Sequence, residues 1–375
     1  MSPVRALAVM LALLPAVPAL AQRPPVTIPS PGTTTTTLTH AFDRAAPQPL
    51  QLWAPRTLLG FQNVEHGHGR LHVTCTDTPA RGRCPRGDSG EGPGGRQPIL
   101  LEFHEPRSGQ RREVGVTGWL ERVEWERTCS DDYWDKSEYP LWTSATRECH
   151  VAPAGTAATL QVAASEIGAL VAGRWQAELH LDVRSGLGGA VLGRHAFVLE
   201  VNVTDPGRAA IYLPEHGASA ALMDLQLQLR AQPPPASVGG EGVLDMCLYD
   251  GLGSLSSQLV LIARDGGPDA PGRPREYFSV WHQGGGRQTH DRVDYRLQLL
   301  HAGQSIALHP GADTLLADID SAELRPVLLP GMDQTVHCVP TPLTFITPRV
   351  PAAEKRDGRY QGDLTLEMRL PTRRP

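Results

Sequence analysis

The chain has 375 residues, with 35 Lys and Arg against 40 Asp and Glu and a formal net charge of −5. That balance excludes a broadly basic nucleic-acid-binding protein, and the length suffices for two or three ordinary domains. Glycine (38) and proline (34) are frequent and aromatics make up only 5%, so many turns and few long helices are expected.

In chain order, residues 1–21 read as a secretory signal. Arg5 supplies positive charge, "ALAVMLALLPAVPAL" an apolar run broken by prolines, and Ala19-Leu20-Ala21 a small-x-small cleavage site before Gln22. The run is too short and proline-broken for a membrane anchor, and no later stretch is long and apolar enough to span a bilayer. Residues 22–50, Pro- and Thr-rich with "TTTTT" at 33–37, read as an extended leader or an edge strand. "EHGHG" at 65–69 sets His66 and His68 two apart without a third metal ligand nearby and reads as a polar turn.

From residue 70 strand patterns recur. "RLHVTC" points Leu71, Val73 and Cys75 one way, and "ILLEF" does the same with Ile99, Leu101 and Phe103. Between them, "PRGDS" carries Arg86-Gly87-Asp88, a weak integrin-ligand signal. The aromatic loop "CSDDYWDKSEYPLW" reads equally as a sugar-stacking surface or as a closed loop packing its own Trp134 and Trp142. "TAATLQVAASEIGALVAG" (156–173) is the best helical candidate. "AELHLDV" and "FVLEVNV" read as strands burying Ala177, Leu179, Leu181 and Val183, then Phe197, Leu199, Val201 and Val203. "GLGG" at 186–189 precedes no helix, so a phosphate cradle is weak.

A domain boundary is expected near "LPEHGASA" (213–220), dividing residues 22–214 from 217–375. Beyond it, "LMDLQLQLR" predicts a strand burying Met223, Leu225, Leu227 and Leu229, and "VDYRLQLL" one burying Val293, Tyr295, Leu297 and Leu299. "DLTLEMRL" predicts a last strand with Leu364, Leu366, Met368 and Leu370 on one face. Many short strands with Gly/Pro turns argue for β-sandwiches, an all-β fold.

Six cysteines follow the signal: Cys75, Cys84, Cys129, Cys149, Cys247 and Cys338. An even count in an exported chain argues for disulfides. Pairing of sequence neighbours, Cys75–Cys84, Cys129–Cys149 and Cys247–Cys338, is the simplest of the fifteen arrangements that six cysteines allow. No G-x-S-x-G, H-E-x-x-H or P-loop motif is present, so neither an enzyme nor a cofactor or metal is expected.

Three stretches carry a resemblance. "DMCLYDGLGS" (245–254), "PVLLPGMDQTVHCVPTPLTF" (326–345) and "GRYQGDLTLEMRLPT" (358–372) resemble the pilin domain of the CblD/CfaE family, the tip-located minor subunits that initiate class 5 chaperone–usher fimbriae. "GRWQAELHLDVRSGLGGAVLGRHAFVLEVNVTDPGRAAIYLPEH" (173–216) looks like that family's last adhesin-domain strands and interdomain turn, and the cysteine pattern agrees. The resemblance covers most of residues 50–372; the leader at 22–50 does not match.

It implies two immunoglobulin-like β-sandwich domains in tandem, an N-terminal adhesin domain and a C-terminal pilin domain. The pilin sandwich lacks its last strand and accepts a donor strand beside the C-terminal strand, so Leu364, Leu366 and Met368 would line the donor-strand groove. The implied partners are a periplasmic pilus chaperone, an outer-membrane usher, the major pilin subunit and a host glycan or surface receptor, with no nucleic acid. The protein would pass through the periplasm to the fimbrial tip at the cell surface. Family basic positions point to Arg70 and Arg184 as receptor-binding residues. Strand parity places both on exposed faces, Arg184 continuing the series Glu178, His180, Asp182. Ser185 and Gly186 follow where relatives are basic, so the patch is thinned. The rival reading is a free-standing secreted carbohydrate-binding β-sandwich protein.

Overall fold

The computed structural model describes residues 31–62, 68–124, 133–135, 137–146, 152–186, 188–268 and 270–370. The signal segment, His66, Cys129 and Cys149 therefore lie outside the described residues. No helix among those described is long and apolar enough to cross a membrane.

The first half contributes β1 (Thr34–Asp43), β2 (Leu50–Phe61), β3 (His72–Cys75), β4 (Pro98–His104), β5 (Arg111–Val123), β6 (Gly155–Val162), β7 (Gly173–Arg184) and β8 (Val191–Thr204). They form one sheet in the order β1-β8-β7-β4-β5-β6-β2, with β3 also on β7. β4 meets β7 through a single pair, His104 and Gln176, so the sheet nearly parts there into two layers. The expected alternation holds: Ile99, Leu101, Phe103, Leu179, Leu181, Val183, Phe197, Leu199, Val201 and Val203 are all buried between the layers. β1 is an edge strand running parallel to β8, so the Thr-rich stretch that it carries belongs to its own domain's sheet.

The helical expectation for 156–173 fails. Its first part is β6, and only Ala164–Ile167 forms a helical turn, α1. Ala157, Ala158, Leu160 and Val162 are buried with Thr156 and Thr159, the continuous burial of a strand covered on both faces.

The second half contributes β9 (Ala210–Tyr212), β10 (Gln228–Arg230), β11 (Ser237–Leu244), β12 (Cys247–Tyr249), β13 (Gln258–Asp265), β14 (Phe278–His282), β15 (Arg292–His301), β16 (Gln304–Leu308), β17 (Asp313–Ala317), β18 (Arg325–Val327), β19 (Val336–Pro340), β20 (Leu343–Pro351), β21 (Tyr360–Gln361) and β22 (Leu364–Arg369). The largest sheet runs β10-β11-β20-β15-β14-β21 with β16 on β15; a three-stranded sheet runs β17-β13-β22. Leu259, Leu261, Phe278, Val293, Tyr295, Leu297 and Phe345 form the core that these two sheets share.

A third sheet, β18-β19-β12-β9, is a wall common to both halves. On β12 and its flank, Cys247 and Tyr249 join the first half's core, whereas Met246 and Leu248 join the second's. β19 repeats the pattern, with Val336 and Cys338 on the first side and Val339 on the second. The period-2 alternation is thus apolar on both faces. At the junction Asp205 N donates to Gly251 O, Arg107 Nη2 to Ala322 O at 3.0 Å and Gln110 Nε2 to Thr335 O at 2.9 Å. Gly253 (φ +68) comes so close to Gly173 that a Cβ there would lie 2.5 Å from the Gly173 Cα, which accounts for a glycine at this point of the "CLYDGLGS" stretch.

Candidate strand-accepting edge and receptor cleft

β22 is the edge of its sheet. It pairs antiparallel with β13, from Leu364 opposite Asp265 to Arg369 opposite Val260, and no strand among the described residues pairs with its other side. Leu364, Leu366, Met368 and Leu370 face the second core yet stay half-exposed, unlike Leu259 and Leu261 beside them. The expected alternation is present; complete coverage is not.

The outer face is closed. Glu367 Oε2 accepts from Arg264 Nη1 at 2.6 Å and Glu367 Oε1 from Arg369 Nε at 2.7 Å. Those two hydrogen bonds hold the Glu367 carboxyl below its usual pKa. Ile262, whose ladder partners are Glu367 and Asp313, is fully buried on this charged side.

Residues 219–227 depart from expectation. "LMDLQLQLR" forms no ladder until β10, where Gln228–Arg230 pairs with β11. Met223 and Leu225 half-bury against the same core as β22, whereas Leu222 is 90% exposed and Leu229 69%. Two open apolar segments therefore border one core.

Arg70 ends a 3-10 turn, His68–Arg70, rather than lying on a strand. It is exposed, as expected, and its Nη2 donates to Thr146 Oγ1 at 3.2 Å. A cleft of about 460 Å³ opens beside it, lined by Gln62, Gly69, Arg70, Pro153, Ser185 and Gly186. The β7–β8 hairpin presses on this turn: a Cβ at Gly186 would stand 2.3 Å from the Arg70 carbonyl oxygen, so glycine is required there.

Arg184 is brought to the same corner but not into the open. Its side chain is only 23% exposed, with Nε donating to Thr74 Oγ1 and Nη1 to Gly189 O, each at 2.9 Å, and Nη2 3.6 Å from Asp182. The parity expectation of an exposed face is corrected here. Glu178 is exposed, but His180 is half-buried and Asp182 buried, because β3 pairs along Val183–Arg184 and the hairpin arm carrying Arg194 folds over Asp182.

Sequence reasoning missed Arg122 and His72. Arg122 is fully buried beneath Arg70; it donates to the carbonyls of Leu71, Thr143 and Ala145 and to Thr156 Oγ1, and its guanidinium lies 5.4 Å from the Tyr139 ring centre. Burial pulls its pKa down to about 10. His72 is fully buried and neither ring nitrogen has a hydrogen-bond partner. Burial, with the Arg122 and Arg184 charges, lowers its pKa against the opposing pull of Asp88. A buried arginine has no periodicity signature, and the polar phase of "RLHVTC" marks His72 as wet.

The aromatic loop resolves as structural. Trp134, Tyr139 and Trp142 are buried, and Tyr139 OH donates to Asp135 Oδ2 at 2.7 Å. In the Arg86-Gly87-Asp88 stretch, Arg86 pairs with Asp77, while the Asp88 carboxylate accepts from the Gly90 and Ser144 amides and the Ser144 hydroxyl. Burial works to raise the Asp88 pKa, but these hydrogen bonds outweigh it and hold the carboxyl below its usual range. Two of the expected disulfides are formed, Cys75–Cys84 and Cys247–Cys338; Cys129–Cys149 falls outside the described residues.

Residues 18–206 match the first domain of CfaE, of the CFA/I fimbria, as a protein family, and residues 209–372 match the second domain of the same family. The CFA/I fimbrial protein CfaE of Escherichia coli is 25% identical over 339 residues, spanning 86% of this chain and 87% of that protein. Among solved structures, CfaE described as the adhesive component of the CFA/I fimbria of enterotoxigenic Escherichia coli superposes with a TM-score of 0.71 at 24% identity, covering 91% of this chain and 93% of that one. A chain from a chaperone–tip adhesin complex of CFA/I fimbriae biogenesis gives 0.66 at 22%, covering 92% and 97%. With both halves matched in order along the chain, the protein belongs to the CfaE family of CFA/I-type fimbrial proteins.

Proposed function

We propose that this protein is the minor tip subunit of a chaperone–usher fimbria, initiating assembly with its second half and adhering to a receptor with its first. The family is one of fimbrial subunits, not of enzymes. The observation that carries the reading is β22: an edge strand, unpaired on one side among the described residues, whose inward Leu364, Leu366 and Met368 remain half-exposed over a packed core. An unpaired apolar edge invites strand addition, in which backbone hydrogen bonds hold the incoming strand and alternate side chains fill the groove. A periplasmic chaperone is the first occupant and the N-terminal extension of the major pilin the second, with handover at the outer-membrane usher. The mature protein then stands at the fimbrial tip.

The test is a synthetic peptide copying the N-terminal extension of the cognate major pilin. It should raise the thermal midpoint of the full chain sharply. A midpoint that ignores the peptide would show a closed sandwich and remove the reading.

For the receptor we place Arg70 at the contact and Arg184 beneath it. Arg70 is exposed on the cleft rim, whereas Arg184 holds Thr74 and the hairpin turn in place. Arg70→Ala should lower adhesion at unchanged stability, since exposed substitutions stay within about 0.5 kcal/mol; Arg184→Ala should lower both. An unchanged binding curve for Arg70→Ala would take this cleft out of the receptor site. The free-standing carbohydrate-binding reading gains nothing, since Trp134, Tyr139 and Trp142 are in the core.

A further inference from the structure

A cleft of about 840 Å³ lies between the two halves at the end of β22. The first half supplies Ala41 and Phe42 from β1 and Arg174 and Asn202 from the β7–β8 pair; the second supplies Leu252 and Leu255. Leu370, directly after β22, lines this cleft and also packs on the core behind the open edge, and Gln258 at the start of β13 lines it too. The open edge and the cleft are therefore continuous: both strands of the β13–β22 pair run out into it.

The direction of an added strand follows from this arrangement. An antiparallel strand is the better paired on an edge of this kind. Its N-terminus would then lie at Leu370 and its C-terminus at Leu364, about 20 Å away at the rise of a β-strand. That leaves the rest of the donor subunit at the end away from the first half, which is how a filament with this chain at its tip must grow. The leading residues of the donor are thus delivered into the cleft between the halves. The cleft suits an extended peptide end. Phe42, Leu252 and Leu255 offer an apolar wall, and Asn202 and Gln258 offer polar groups to a backbone that has run past its ladder. Arg174 is exposed and has no ion-pair partner among the described residues, so it favours a carboxylate opposite it.

We propose that the first residues of the donor strand, apolar with an acidic side chain, seat in this interdomain cleft, so that the receptor-binding half itself completes the donor site. The proposal rests on the strand-accepting reading and extends it from the pilin half to both halves. Uniform stabilisation of the second core would not require it; a contact to β1 and β8 does.

The experiment uses the full chain and two synthetic peptides, one copying the cognate major pilin's N-terminal extension and one lacking its leading residues. Ala41 is exposed at the cleft mouth, so Ala41→Trp fills the cleft without touching a core. The longer peptide should bind roughly tenfold more tightly than the shorter, a difference of about 1.4 kcal/mol. Ala41→Trp should erase that difference while leaving affinity for the shorter peptide unchanged, and Arg174→Ala should erase part of it. Equal binding of both peptides, with Ala41→Trp indifferent, would overturn the proposal and leave the open-edge reading intact. Failure of both peptides to bind would overturn both together.

Discussion

His72 shows what a single buried side chain does to the first domain. Its ring is enclosed with no hydrogen bond, near Arg122, Arg184 and Asp88, and its pKa lies below the 6.5 of a free histidine. A depressed histidine pKa means that the unfolded chain takes up the proton first. Stability is therefore full above about pH 6.5 and falls as the pH drops towards the folded-state value. Burial lowers the pKa of His180, His195 and His337 as well, so all four act with the same sign. The thermal midpoint should fall between about pH 7 and pH 5, and His72→Leu should flatten part of that slope without loss at neutral pH, because both ring nitrogens are already unsatisfied. A midpoint that rises on acidification would contradict a neutral buried His72. Parity read the phase of "RLHVTC" but not its surroundings: the loop at 141–146 closes over β3, with Val73 N donating to Leu141 O, and a strand covered on both faces has no wet side.

At the scale of elements, the alternating strands were legible and their partners were not. β4, β7, β8 and β15 bury the residues that their period marks. Residues 221–229 alternate equally well, yet leave Leu227 and Leu229 exposed because no ladder forms beyond β10. Period 2 reports that a segment has an apolar face, not that the chain supplies the cover. "TAATLQV" misled for a related reason: Ala and Leu favour helix intrinsically, but pairing with β2 and β5 overrides propensity. β22 is where this distinction has functional weight. Each aliphatic side chain fully buried contributes about 1.5–3 kcal/mol, so covering Leu364, Leu366 and Met368 with an added strand should stabilise the second domain by several kcal/mol. Leu366→Asp puts a charge on that face. It should abolish the peptide-induced rise in thermal midpoint and block fibre initiation, while the first domain's transition stays in place. A variant that still responds fully to the peptide would show that the groove does not run along this strand.

At the scale of the whole molecule, the resemblance made the second domain's incompleteness legible, but the coupling of the two halves was not. Cys247 and Cys338 read as one domain's bridge, whereas the structure sets them on the first-core face of the shared sheet. The bridge closes 91 residues of sequence. In the chain-entropy model a loop of that size contributes roughly 4–5 kcal/mol. Typical domain stabilities are about 5–15 kcal/mol, so Cys338→Ala should cost most of the margin and strip the exported protein from the periplasm. Normal yield of that variant would mean that the sheet holds without its cross-link.

The same shared sheet governs how the molecule can be divided. A cut between residues 206 and 209, where the two family domains meet, leaves β9, β12, β18 and β19 with the second half. That fragment would present Tyr249, Val327, Leu329, Met332 and Val336 to water on one side, besides the open edge of β22 on the other. The first fragment would lose the lid of its own core. Each piece would carry a fresh greasy face, and the smallest unit that keeps its solubility is the undivided pair.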